Sequence, residues 1–558
     1  MPTGTLAIPG VGRIDLASIA PSHLRGAVIV DELPGTSVGV LRDRPTPATE
    51  WALGGTAVVD LGYQSNLNAV GSGFSVASRG SRIRTVASGN FTSGDRFESG
   101  SGDLYNSAFR HGGAFVRSTV VLPGRSSISA DARLVKVGYA ELPGGLLDIV
   151  DAHHVGGSVG WTSVIEGQRA RRVHITVGAA QSAADLADRT GRQSASREWV
   201  SMEAQARLLH GLAALDIYVA GLDQLQAGIE LAAHSYDWAG SSVGPTAVGV
   251  VADTLLDHER LQVSSFAVSR MRRGRFEVNL AGRIDVVRTR IGALSAGTSK
   301  SPVRRIRPAV AANVMLQLDR RWQLSSTLSV RSVEPSPVAM SPAAVPSAEG
   351  LPAAPVSGSL EMGAERLIFT GVRVTRETER QSISLRPYLF DIRGYVTPRL
   401  DTSSEGYAYA NMDARIAGAE LAARRQLLPF VTMSGMLTFA WGENLTLREP
   451  LPLMSPLNGR LDLEASAVRG QILFELSTEF AVRQHRVAES LDERPSDAYI
   501  ACHLWLGVPL SKRLGLRTGI YNLFNASFSP HGHVFIEDQD VRLAAPGRSW
   551  LIAARFRY

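Results

Sequence analysis

Apolar and polar residues alternate with a period of two along most of the chain. From Phe276 to Val286, Phe276, Val278, Leu280, Ile284 and Val286 share one face, opposed by Glu277, Asn279, Arg283 and Asp285. This pattern predicts a half-buried strand. The same alternation runs through 170–177 and 472–483. At the end of the chain Trp550, Ile552, Ala554, Phe556 and Tyr558 share a face, and Arg555 and Arg557 take the other. Such a strand suits a wall with lipid on one side and a wet lumen or interfacial rim on the other. A strand of a soluble sandwich alternates in the same way, so the choice rests on the rest of the chain. Helical periodicity is nearly absent, and 182–190 is the best candidate for a short helix.

Counting strand-like runs from Ala57 onward gives roughly 22 over about 500 residues, the spacing expected of barrel strands with turns and loops. Turn-rich links at Pro123-Gly124-Arg125-Ser126, His210-Gly211-Leu212-Ala213 and 511–515 separate longer polar ones at 92–111 and 142–155. Short turns on one rim and long loops on the other are the outer-membrane pattern. Residues 334–355 carry proline at a density no ladder tolerates, which predicts a surface loop on the long-loop rim.

At 558 residues the chain exceeds an ordinary soluble domain, yet no break in composition divides it. Mean hydropathy is +0.01. The longest apolar stretch, 428–442, falls short of the roughly 18–20 residues of a spanning helix. Only helices and closed barrels satisfy their backbone in lipid, so a membrane protein of this composition must disperse its apolar face over alternate residues. The net charge of +6 comes from 58 Lys and Arg, all of them Arg except Lys136, Lys300 and Lys512. They are spread through the chain and form no basic stripe, which argues against nucleic acid as a partner. The lone Cys502 excludes an intrachain disulfide and a cysteine metal site, and reads as a small apolar strand residue. The first residues lack the basic and apolar regions of a secretory signal, so a barrel reading requires a start upstream of Met1.

Several motifs imitate chemistry. Gly35-Thr-Ser37-Val-Gly39 and Gly240-Ser-Ser242-Val-Gly244 match the nucleophile elbow, but no helix pattern follows either serine. His153 and His154 are adjacent and point to opposite faces of an extended chain, and His531 and His533 fall in a loop; all four read as solvated loop residues. The acidic, glycine-rich 93–103 lacks the register of a calcium loop. No catalytic residue, cofactor or metal site follows from the sequence.

From about Arg331 onward the chain resembles TonB-dependent outer-membrane receptors. The most specific piece is Asn522-Leu523-Phe524-Asn525, then Pro546-Gly547-Arg548, then a terminal strand with Phe556 and the final Tyr558. A second piece, Asn411, Ala414, Gly418 and Glu420, matches that family's strand signature, and 450–461 its proline-rich turn. Leu360 to Glu365 and Asp391 to Val396 fit the same order. Physically, Asn522 and Asn525 suit strand ends, Pro546-Gly547 a turn, and Tyr558 an interfacial anchor. The resemblance weakens at the N-terminus, where 1–55 resemble only the end of a plug domain and carry no coupling box.

The resemblance implies an all-β, membrane-spanning antiparallel barrel of about 22 strands over 56–558, preceded by a plug remnant at 1–55. It implies residence in a Gram-negative outer membrane and import of a scarce ligand, such as a metal chelate or siderophore. Implied partners are outer-membrane lipid, that small-molecule or metal-chelate ligand, the barrel-insertion machinery and, given a full plug, the TonB complex. The alternatives are a plug-depleted, porin-like passive channel and an outer-membrane hydrolase built on Ser37 or Ser242. No Met/His cluster in the sequence supports a copper-receptor subtype.

Overall fold

The computed structural model describes residues 54–558 apart from 142–147, 166–169, 188–198, 243–250, 292–301, 337, 341–344, 347–354, 360, 402–405, 468–471, 534 and 537–540. Before residue 54 it describes two short strand pairs, Thr5–Ile8 with Gly12–Asp15 and Val28–Asp31 with Val40–Asp43. The expected plug end, including Ser37, otherwise lies outside the described residues.

The strands form one closed antiparallel barrel of 22 staves. Closure is made by the last strand, Ser549–Arg557, pairing with the first, Gly54–Gln64. Closing the sheet leaves no edge with unpaired amides, which is the condition for crossing lipid with strands. Connections alternate as predicted. Turns such as 80–82, 274–275, 318–321, 429–430 and 510–513 lie on one rim, and loops such as 95–108, 334–364, 445–457, 482–498 and 522–548 on the other.

The alternating apolar residues form the outer band. Ile284 and Val286 are exposed, while Asp285 between them and Val287 after them are buried inside. Trp550, Ile552, Phe556 and Tyr558 point outward as their pattern predicts. Arg555 turns inward, its Nε donating to Asp60 Oδ1 at 2.6 Å across the closing seam. Aromatic residues are few, yet many concentrate beside the short turns, as with Tyr218, Phe276, Trp322, Phe430 and Tyr558. This is where an interfacial girdle belongs. The guanidinium of Arg513 lies 5.2 Å from the Tyr558 ring centre and that of Arg376 5.7 Å from Trp322.

Three local expectations are corrected. Residues 182–187 belong to strand Ala170–Ala187 and are not helical, because Ser182 pairs with His154 on one side and Ala206 on the other. Two ladders outweigh an alanine-rich helical preference. His210 to Ala213 lie inside strand Trp199–Ile217, and the turn comes at 218–223. Gly211 there is a strand residue in the outer row. The loops expected over 92–111 and 142–155 are shorter, because strands Ile83–Gly94 and Phe109–Leu122 take both ends of the first and strand Asp148–Val164 already includes His153 and His154.

The long loops fold back over the mouth. Phe97 and Tyr105 from loop 95–108 and Ala544 from loop 522–548 join wall residues Met202 and Trp238 in a buried apolar cluster. Of the proline-rich connection only part is described, and there Glu334, Ala339 and Met340 are all buried instead of lying on the surface.

Candidate functional site in the barrel lumen

Inward positions alternate with lipid-facing ones, so each wall strand delivers every second side chain to the lumen. Strands Trp199–Ile217, Gln224–Ser242, Val251–Arg273, Phe276–Ile291 and Val303–Gln317 are neighbours. Their inward polar residues form one connected network. Glu230 lies 3.1 Å from His210 Nε2 through Oε1 and accepts from Arg283 Nη1 through Oε2. Arg283 also donates to Asp285 Oδ1 at 2.6 Å and to Ser264 Oγ at 2.7 Å. Arg307 donates to Gln262 Oε1 at 3.0 Å and approaches Asp285 Oδ2 at 3.4 Å.

The inward-folded loop completes the network. Glu334 accepts from Arg305 Nη1 at 2.7 Å and lies 3.8 Å from Arg307 Nε. Arg260 donates to the Pro335 carbonyl and Arg305 to that of Met362, at 3.1 and 2.8 Å. Beside it, His234 stacks on Tyr236, which meets His258 edge-on with ring centres 5.6 Å apart. His258 is fully buried, and neither ring nitrogen has a hydrogen-bond partner among the described residues.

Four arginines, 260, 283, 305 and 307, face three carboxylates, Glu230, Asp285 and Glu334. The wall therefore has an excess of cationic, hydrogen-bond-donating groups in a confined space, the arrangement that attracts and orients anions. Among the described residues no group of three or more His, Cys, Asp or Glu side chains could hold a bare metal ion. Sequence alone marks Arg283 and Asp285 only as the polar face of a strand. Nothing local distinguishes Glu230 or Arg307 from any other charge in an alternating run.

The residues singled out by resemblance lie elsewhere and build the scaffold. Asn522 is fully buried at φ +49°, where its Nδ2 donates to the Ala526 carbonyl at 2.8 Å and its Oδ1 accepts the Ala526 N–H at 2.8 Å. Leu523 N–H donates to the Cys502 carbonyl, and Phe524 is exposed. Pro546 bridges to Ser99, Gly547 N–H donates to the Glu98 carbonyl, and Arg548 N–H donates to Asn525 Oδ1. A Cβ on Gly547 would lie 2.8 Å from both Asn525 Oδ1 and the Ser99 carbonyl. This motif fastens the last hairpin's loop to loop 95–108 beside the closing seam. Asn411 ties strand Gly406–Leu428 to Gly363 and Gly394, each at 2.7 Å. Gly418 leaves room for Tyr388, and Glu420 lies 3.5 Å from Arg386. Phe556 and Tyr558 are lipid-side residues.

The histidines also move from their expected setting. His153 and His154 are strand residues on opposite faces, with His154 Nδ1 2.8 Å from Ser182 Oγ. His531 is in a loop but buried, its ring between Ser496 Oγ and Glu493 Oε1 at 3.0 and 3.1 Å. Ser242 ends a strand and is followed by no described helix. His533 packs with its Nδ1 2.9 Å from the Leu543 carbonyl. Burial holds its pKa below the ordinary value, and the Arg542 charge adds to the effect. Because the folded value is depressed, the neutral ring supports the loop above about pH 6.5, and that support is lost as pH falls below it. Amide-exchange protection at 541–545 is expected to drop between about pH 7 and pH 5, and the His533→Gln variant to lose that dependence. A flat profile in the parent protein would contradict it.

No family model matches the chain, and no curated protein matches it. Solved structures do. The copper transporter OprC is similar over 91% of this chain and 80% of its own, at 16% identity and a TM-score of 0.80. The FrpB iron transporter from Neisseria meningitidis (F5-1 variant) covers 91% of this chain and 83% of its own, at 11% identity and a TM-score of 0.69. The ferric citrate transporter FecA in the unliganded form covers 91% and 79%, at 12% identity and a TM-score of 0.71. At these identities the likeness establishes the fold.

Proposed function

We propose that this chain is a TonB-dependent outer-membrane receptor that imports a scarce, anionic metal chelate or siderophore. The observation that carries this reading is the closed barrel, whose shape over 91% of the chain matches transporters of copper, iron and ferric citrate. The cationic lumen wall supports an anionic cargo, because arginine forks bind carboxylate and catecholate oxygens in pairs. Inward-folded loops would capture the ligand, and residues 1–55 would form the end of a plug whose movement admits it. Uptake then depends on differential contacts between two states and needs no covalent chemistry.

A receptor-deficient Gram-negative strain expressing the protein should accumulate radiolabelled ferric citrate, a ferric siderophore or copper above the vector control. Deleting the TonB complex should abolish that accumulation. Uptake indifferent to TonB, together with ligand-independent conductance in planar bilayers, would establish a passive channel instead.

A further inference from the structure

The outer face of the same wall carries charge where the apolar band stops. Register aligns Val177, Gly211, Leu231, Val263, Val286 and Ile306 in one outward row. Val177 and Ile306 are 62% and 73% exposed, which places this row against lipid acyl chains. Two residues further toward the long-loop rim the row reads Ala179, Leu209, Ala233, Leu261, Arg288 and Arg304. Arg288 and Arg304 are exposed and directly opposite each other on adjacent strands. Their Cβ atoms are therefore about 5 Å apart, a like-charge pairing that destabilises a sheet unless an anion lies between.

No carboxylate among the described residues neutralises this pair. Glu259, in the next row up, is 3.7 Å from Arg290. Asp237 and Asp257 sit one row beyond that, roughly 13 Å along the strands from Arg288. Small side chains at Ala179, Ala233 and Ser235 leave a hollow of about 820 Å³ lined by Arg207, by Arg288 and Arg290 and by the Glu259 carboxylate that pairs with Arg290, and Arg304 stands outside it, across the ladder from Arg288. Its remaining lining is mostly outward residues, among them Val155, Leu209 and Leu261.

We propose that the Arg288–Arg304 pair, at the edge of this hollow, binds the headgroup of a phosphorylated lipid of the outer leaflet. The phosphate lies between the guanidinium groups of Arg288 and Arg304, and the acyl chains run down over Val286 and Ile306. Height, charge and shape agree: the arginines stand at the upper edge of the apolar band, the plane of lipid phosphates. Each guanidinium fork can donate two hydrogen bonds to phosphate oxygens. Basic pockets at this depth are how membrane proteins select anionic headgroups.

The test is native mass spectrometry of the detergent-purified protein titrated with dioleoyl phosphatidic acid, with dioleoyl phosphatidylcholine and with inorganic phosphate. Phosphatidic acid is expected to bind at least about tenfold more tightly than phosphatidylcholine, and R288Q/R304Q to remove that preference. R288K/R304K should keep part of it, because charge survives while the fork is lost. Inorganic phosphate should not compete at lipid-saturating concentrations. Equal binding of the two lipids, an unchanged preference in R288Q/R304Q, or displacement by inorganic phosphate would overturn the proposal. If the double variant fails to give the heat-modifiable band of a folded barrel, the single R304Q variant decides by the same titration.

Discussion

Replacing Arg283 with methionine is expected to cost about 3–5 kcal/mol, the largest effect of any single inward substitution, because it strands two carboxylates at once. Glu230 and Asp285 have side chains only 7% and 4% exposed, and Arg283 donates to both. Methionine keeps the length and packing of the stem but leaves the carboxylates facing each other without a cation between them. His210 and Arg307 stay beside one acid each, so the network is broken at its centre and retained at its ends. The triple variant R283M/E230Q/D285N should recover most of the loss, since an uncharged, hydrogen-bonded lumen carries no unpaired ion. Thermal unfolding followed by the heat-modifiable shift on gels and by circular dichroism measures both variants. An R283M protein that melts with the parent would show that these residues do not form a coupled unit.

The second large effect is expected at Asn522. Asn522→Val places a β-branched residue at φ +49°, a conformation such residues rarely adopt, and removes the side-chain bonds that hold Ala526 and Pro546. The combined cost is about 3–5 kcal/mol. Asn522→Gly separates the two causes: it relieves the backbone strain but not the lost hydrogen bonds, so it should recover part of the stability. Because the segment lies beside the seam between the last strand and the first, the valine variant should also slow formation of the heat-modifiable band during refolding in detergent. Equal refolding rates for parent, valine and glycine forms would mean that this segment plays no part in closure.

The sequence by itself determined the architecture. Period-two alternation, turn residues and the alternation of short and long connections are local properties, each readable within a dozen residues, and together they specify a large barrel with lipid outside. The placements of Phe276 to Val286 and of Trp550 to Tyr558 follow directly from that alternation. The turn expected at His210 and the helix expected over 182–190, as far as its described part to Ala187, failed for one reason: glycine and alanine are locally ambiguous, and pairing with neighbours on both sides settles them as strand.

Only the tertiary structure decided what the inward charges do. Arg283 and Glu230 are 53 residues apart and meet through the register of three adjacent strands; a shift of one residue would turn one of them toward lipid. Glu334 joins them because the start of the proline-rich connection turns into the mouth, where Arg260 holds the Pro335 carbonyl and Arg305 and Arg307 meet the Glu334 carboxylate. Arg288 faces Arg304 for the same reason of register, on the opposite face. Alternation is written in each strand, whereas register is a property of the closed sheet, and the candidate sites on both faces of the wall belong to register.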